Sequence, residues 1–168
     1  MVTRMEKEKE NEIEAKLREI LKEKIVEVRV PRKRRIFVRI EMEALKKAVK
    51  HLVEDLGFKH LSTITGVDLG ETIELIYHLA YKGSIELSLG ITVEKKNPNV
   101  PTITDVIPGA ILYEREVHDL FGVTFEGHPD LARLILPEKW PRDVYPLRKE
   151  YTLENLHGSI FKDEEGEK

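Results

Sequence analysis

Two neighbouring stretches, ETIELIYHLAY (71–81) and SIELSLGITVEKK (84–96), place an apolar residue at every second position. The first carries Ile73, Leu75, Tyr77, Leu79 and Tyr81; the second carries Ile85, Leu87, Leu89, Ile91 and Val93. A period of two puts each set on one face of a β-strand. Lys82-Gly83 supplies the turn between them. The chain must therefore build a sheet with one apolar face, and the rest of the sequence must cover that face.

The covering elements are legible on either side. Residues 1–24 read as a charged helix whose stripe is Ile13, Leu17, Ile20 and Leu21, with the first dozen residues lacking any stripe. IVEVRV (25–30) and IFVRI (36–40) alternate like strands and read as a hairpin around Pro31–Arg35. Leu45, Val49, Leu52 and Leu56, flanked by Ala44 and Ala48, form a helical stripe ended by Gly57. NPNVP (97–101) reads as a loop, and Gly109 and Gly122 bracket a helix of about three turns. The fold class is α+β, with a mainly antiparallel sheet and packed helices over 25–122.

Beyond that helix the texture changes. Residues 123–160 contain four prolines, at 129, 137, 141 and 146, and little periodicity, which reads as an irregular C-terminal docking arm. Such an arm cannot satisfy its own backbone groups and must borrow partners. Residues 161–168 read as a disordered acidic tail.

Several chemistries are excluded by residue type. The chain has no cysteine, so it holds no disulfide, thiolate metal site, cysteine nucleophile or cysteine-bound iron–sulfur cluster. Its formal net charge is −3, against the basic excess of a nucleic-acid binder. PRKRR (31–35) fits a phosphate- or lipid-contacting patch, or a solvated hairpin tip guarding an edge strand, and the second reading is preferred. No apolar run approaches the ~20 residues of a membrane span, and the polar N-terminus does not suit a signal peptide, so a chain that is soluble and intracellular, or that sits on a membrane through partners, is expected. Charged residues make up 35% of the chain and Gln is absent, the hyperthermophile tendency.

Glu114 and His118 stand four apart on one helix face, and with His128 they are the candidate metal ligands of a stand-alone metalloenzyme. Two ligands from one helix do not close a zinc site, so a plain polar pair is preferred. Arg115, Glu116 and Asp119 read either as a solvated face or as a polar network that fixes the arm or meets a partner.

The run YEREVHDLFGVTFEGHPDLARLILPEKWPRDVYPLRKEY resembles the signature of the complex I 30-kilodalton subunit family of NADH dehydrogenases. Glu114, Arg115 and Glu116 match its opening, and Asp119, Leu120, Phe121 and Gly122 the next block. Phe125, His128, Pro129, Asp130, Leu131 and Arg133 follow in register, and Pro146, Leu147, Arg148 and Lys149 match the close. The likeness spans roughly residues 25–151. His118 where an aromatic residue is usual, Leu112-Tyr113 before the opening, and extra length between Trp140 and Pro146 are typical of the hydrogenase-type branch.

The resemblance implies a non-catalytic accessory subunit of a membrane-associated oxidoreductase. It favours a membrane-bound hydrogenase or related energy-converting complex over an NADH:quinone dehydrogenase. It implies no cofactor in this chain; iron–sulfur clusters and a nickel–iron centre belong to partner subunits. The implied partners are the large catalytic subunit, of nickel–iron or quinone-site type, and the iron–sulfur subunits beside it. Nucleic acid is not among them, and membrane contact comes only through the complex, on the cytoplasmic side. The implied partner-binding residues are Glu114, Arg115, Glu116, Asp119, Phe121, Gly122, His128, Pro129, Asp130, Arg133, Pro146, Leu147, Arg148 and Lys149.

Overall fold

The computed structural model describes residues 2–82 and 84–160, with side chains described from 9 to 156. The acidic tail read at 161–168 and Gly83 of the expected turn lie outside the described residues. Helix α1 (Val2–Leu21) leads into β1 (Ile25–Arg32), β2 (Arg35–Ile40), α2 (Leu45–Glu54), β3 (His60–Asp68), β4 (Thr72–Tyr81) and β5 (Ile85–Glu94). Then come β6 (Asn99–Pro101), α3 (Ala110–Phe121), β7 (Thr124–Glu126) and α4 (Leu153–Ile160).

The five long strands form one sheet in the order β1-β2-β5-β4-β3. The period-two runs pair antiparallel from Thr72↔Glu94 to Tyr81↔Ile85, and Ser84 N–H donates to the Tyr81 carbonyl (2.9 Å) across the turn. β1 and β2 make the expected hairpin, with Val28 opposite Val38. β2 runs parallel to β5, with Val38 opposite Leu89, so the mainly antiparallel sheet has one parallel seam. Alternation cannot reveal such a seam, because it shows faces and not directions.

Cross-strand partners share a face. Ile36, Val38 and Ile40 join Leu75, Tyr77, Leu79, Leu87, Leu89 and Ile91 in a buried layer. Helix α1 adds Ile13, Leu17 and Leu21, and α2 adds Leu45, Ala48, Val49 and Leu52, as their spacing predicts. Gly57 takes a positive φ of 78°, which ends the second helix as read. The other sheet face is polar: Arg39 pairs with Glu74 and Glu27, and His78 lies 3.1 Å from both Thr65 Oγ1 and Ser88 Oγ.

Three features depart from the sequence reading. Helix α1 lies within the stretch read as a charged helix, but in its stripeless first dozen residues Glu10 is buried and accepts a hydrogen bond from the Arg34 N–H at the hairpin tip. The NPNVP loop contains β6, which pairs parallel with β7 through Val100↔Phe125. The arm read as irregular from 123 thus contains a strand at its start and α4 near its end. Three-residue strands carry too little periodicity to be read locally.

Candidate functional site

Helix α3 begins after Gly109 and stops at Gly122, whose φ of 70° is the left-handed conformation that ends a helix. Its apolar residues Ala110, Val117 and Phe121 face the core. The Phe121 ring lies against Gly66 of β3, so close that a Cβ there would sit 2.6 Å from the ring. The polar residues of the helix then divide by direction.

Glu114 points inward and is fully buried. Its carboxylate accepts hydrogen bonds from the Ile103 N–H (2.8 Å) and the Thr102 hydroxyl (2.5 Å), in the loop that follows β6. Burial raises its pKa, against the pull of those donors and of His128. Arg115 and Asp119, one turn apart, point outward onto the arm. The Arg115 guanidinium donates to the carbonyls of Ala132 (2.7 Å) and Arg133 (2.6 Å). One oxygen of Asp119 accepts from three successive backbone N–H groups, Leu134 (2.8 Å), Ile135 (2.8 Å) and Leu136 (3.2 Å). Burial alone would push the Asp119 pKa up; the three amides and nearby His118 win and hold it down. An exposed i,i+4 ion pair is worth only a few tenths of a kcal/mol. Charge-assisted bonds to unpaired backbone groups are worth more, so these two side chains serve the arm rather than each other.

The arm continues by the same logic. Arg133 donates to the carbonyls of Pro137 (3.0 Å) and Trp140 (2.6 Å), and the Trp140 indole donates to Val144 (2.8 Å). The chain then returns to the terminal carbonyls of α3, which have no partner within the helix. Leu147 N–H donates to Leu120 (3.2 Å) and Arg148 Nε to Phe121 (2.7 Å). A cation at a helix C-terminus also meets the favourable end of the macrodipole. The Arg148 guanidinium stacks on Tyr145, 4.4 Å from the ring centre. Tyr145 in turn lies against Gly122, where a Cβ would come within 2.5 Å of its ring.

The far end of the arm closes on the sheet. Asp68, at the end of β3, accepts from Lys149 N–H (2.8 Å) and Gly70 N–H (2.7 Å) and pairs with Lys95 (2.6 Å). Lys95 also reaches Glu150 (2.7 Å). Burial opposes ionisation of Asp68, yet Lys95 and the two amides carry its pKa down from 3.8 to about 2. A carboxyl lowered by folding stabilises above its unfolded pKa and loses that contribution as pH falls through the folded value. Acidification from pH 4 to pH 2 should therefore cost the fold about 2 kcal/mol through this group. Denaturant unfolding of the parent chain and of Asp68→Asn across that range checks it. Parallel pH profiles for the two would contradict the assignment.

The family-motif residues are thus gathered around α3, but with most polar atoms turned inward. Glu114, Arg115, Asp119, Arg133 and Arg148 bond within the chain. His128 Nε2–H donates to Ile111 (3.2 Å), and its Nδ1 accepts from Asp130 N–H (3.1 Å). Asp130 accepts from Ala132 N–H (3.2 Å), Lys149 uses its backbone N–H, and Phe121 and Gly122 are packing positions. Glu116, Pro129, Pro146 and the Leu147 side chain face outward or are half-buried. Sequence reasoning missed Asp68, Lys95, Tyr145 and Gly66. Only a glycine inside a strand pattern hinted at one of them, as a place of close approach.

The metal reading does not assemble. His118 Nδ1–H donates to the Val123 carbonyl (2.8 Å), and His128 Nε2 stands 3.9 Å from Glu114. Among the described residues no three His, Asp or Glu side chains are grouped to hold an ion. No helix among them is long and apolar enough to cross a membrane.

Comparison with known proteins places this architecture. A chain of the membrane-bound sulfane sulfur reductase, described as an archaeal respiratory membrane complex, superposes with a TM-score of 0.72 at 28% identity, over 86% of each chain. A trypsin-resistant fragment (1–134) of Nqo5 superposes with a TM-score of 0.59 at 30% identity, over 71% of this chain and 98% of the fragment. An NADH-quinone oxidoreductase subunit of Moorella thermoacetica is 36% identical over 122 residues, covering 71% of this chain and 81% of the relative. Its Roseiflexus castenholzii counterpart is 37% identical over 122 residues, covering 69% of each. Residues 38–156, which include the sheet from the middle of β2 onward, α3 and nearly all of the arm, match the family model for the 30 Kd subunit of respiratory-chain NADH dehydrogenase. With its signature residues clustered on α3 and the arm that α3 holds, the chain belongs to the 30-kilodalton subunit family of respiratory-chain NADH dehydrogenase.

Proposed function

We propose that this chain is a non-catalytic accessory subunit of a membrane-associated oxidoreductase, docking through α3 and its arm to the large catalytic subunit and the iron–sulfur subunit beside it. The observation that carries the reading is where apolar surface remains exposed. Of the eight exposed large hydrophobic side chains among the described residues, Leu112, Leu134, Ile135, Leu147 and Leu153 lie on α3, the arm and α4. The pins made by Arg115, Asp119 and Arg148 support that surface from behind. A surface held in shape before contact loses less entropy on binding.

The chain holds no redox centre of its own in this reading. Iron–sulfur clusters, with a nickel–iron centre where the complex is a hydrogenase, belong to its partners. The likeness to a sulfane sulfur reductase chain and the divergent motif support an energy-converting complex of the hydrogenase and sulfur-reducing kind. The subunit would sit on the cytoplasmic side and reach the membrane only through the complex.

The test is a pair of substitutions on exposed side chains, Ile135→Ser with Leu147→Ser. Each lost burial is worth about 1.5–3 kcal/mol. Recovery of the complex on a tagged large subunit should fall about a hundredfold, with the free chain's Tm unchanged. Normal recovery would contradict the docking role.

A further inference from the structure

Tyr77 stands in the middle of β4, between Ile64 and Leu89 on the neighbouring strands, and faces the core. It is fully buried. Among the described residues its hydroxyl is the one buried side-chain polar atom with no hydrogen-bond partner. A phenylalanine would bury the same ring without leaving a donor unmet, and an unmet buried hydroxyl is costly.

A second deficit lies on the facing helix. An ionised carboxylate offers about four lone-pair positions. Glu114, also fully buried, receives two close donors, Thr102 Oγ1–H and Ile103 N–H. His128 Nε2, at 3.9 Å, is beyond hydrogen-bond reach and spends its proton on the Ile111 carbonyl. Helix α3 packs on β3, the strand beside β4, so the two groups share one interior. Burial drives the Tyr77 phenol well above its ordinary pKa, and the Glu114 charge adds to the rise.

A donor without an acceptor and an acceptor with spare capacity call for a bridge that can do both. We propose that a buried water molecule links the Tyr77 hydroxyl to the Glu114 carboxylate, tying α3 to the sheet through a hydrated polar contact. The water accepts from the phenol and donates to the carboxylate, two of the two to four bonds that buried waters make. The consequence reaches the arm. Glu114 precedes Arg115 and stands five residues before Asp119, so the link fixes the pitch of the helix from which both pins project.

Substituting the phenol decides the matter by the sign of its effect. Removing an unpaired hydroxyl should stabilise the fold, whereas removing a bridged one should destabilise it. In the full chain, Tyr77→Phe should lower the folding equilibrium constant about tenfold. In a Glu114→Gln background, which keeps an acceptor for Ile103 N–H but removes the charge, the loss should shrink to less than about threefold. A crystal structure of the parent chain should show a water within hydrogen-bond distance of both atoms, and the Tyr77→Phe variant should lack it. The proposal is overturned if Tyr77→Phe stabilises both backgrounds equally, or if the crystal shows a dry contact or a direct bond between Tyr77 and Glu114.

Discussion

Asp119→Ala should release the arm while leaving the sheet intact. The carboxylate is 4% exposed and takes three consecutive amides. Charge-assisted hydrogen bonds contribute about 1.5–3 kcal/mol each and do not add fully, so losing all three should cost the arm about 3 kcal/mol. Hydrogen exchange at Leu134–Leu136 should then quicken about a hundredfold, and trypsin should cut sooner after Arg133, Lys139 and Arg142. Amides of β4 and β5 should keep their protection, because the Asp119 contacts do not involve them. Asp119→Asn keeps an oxygen but not the charge, and should recover part of the loss. Unchanged exchange at 134–136 in Asp119→Ala would show that the arm is held by something else.

Gly66→Val should damage the fold more broadly. The Phe121 ring occupies the space where the new side chain would go, with Cε2, Cδ2 and Cζ 2.6, 2.7 and 3.0 Å from the added Cβ. Neither the strand backbone nor a ring 6% exposed can yield cheaply. Overpacking of this kind costs about 3 kcal/mol. It should also lift the end of α3, which the arm reaches through Leu120 and Phe121 carbonyls. Pairing Gly66→Ala with Phe121→Leu should be less damaging than the sum of the two single changes, since each makes room for the other. Strict additivity in denaturant unfolding would refute the contact as the cause.

The sheet and its cover were legible because their signal is periodic. Alternation at 73–81 and 85–93 fixed the buried face, and the stripes Ile13–Leu17–Leu21 and Leu45–Val49–Leu52 placed two helices over it. The glycines at 57 and 122 marked helix ends because left-handed backbone favours glycine. The parallel β2–β5 seam and the β6–β7 pair left no such trace, since both depend on where distant segments meet. The site was half legible. The family pattern picked out Arg115, Asp119, Arg133 and Arg148, but a pattern names residue types and says nothing about the direction they face. Their polar atoms turn toward the chain's own arm. Lys95 carries no motif, and Asp68, in a stretch that resembles the family's sheet region, shows no sign of its partner: 81 residues separate it from the amide it holds.

A docking subunit does not act alone, and its partners should leave the membrane with it. The direct measurement is affinity purification of the tagged chain from detergent-solubilised membranes of its native cell, with the bound proteins quantified by mass spectrometry. One large catalytic subunit and one iron–sulfur subunit should be recovered per tagged chain, with visible absorbance that leaves with those partners when the complex is dissociated. Recovery of the chain by itself from the soluble fraction, with none in the membranes, would contradict this.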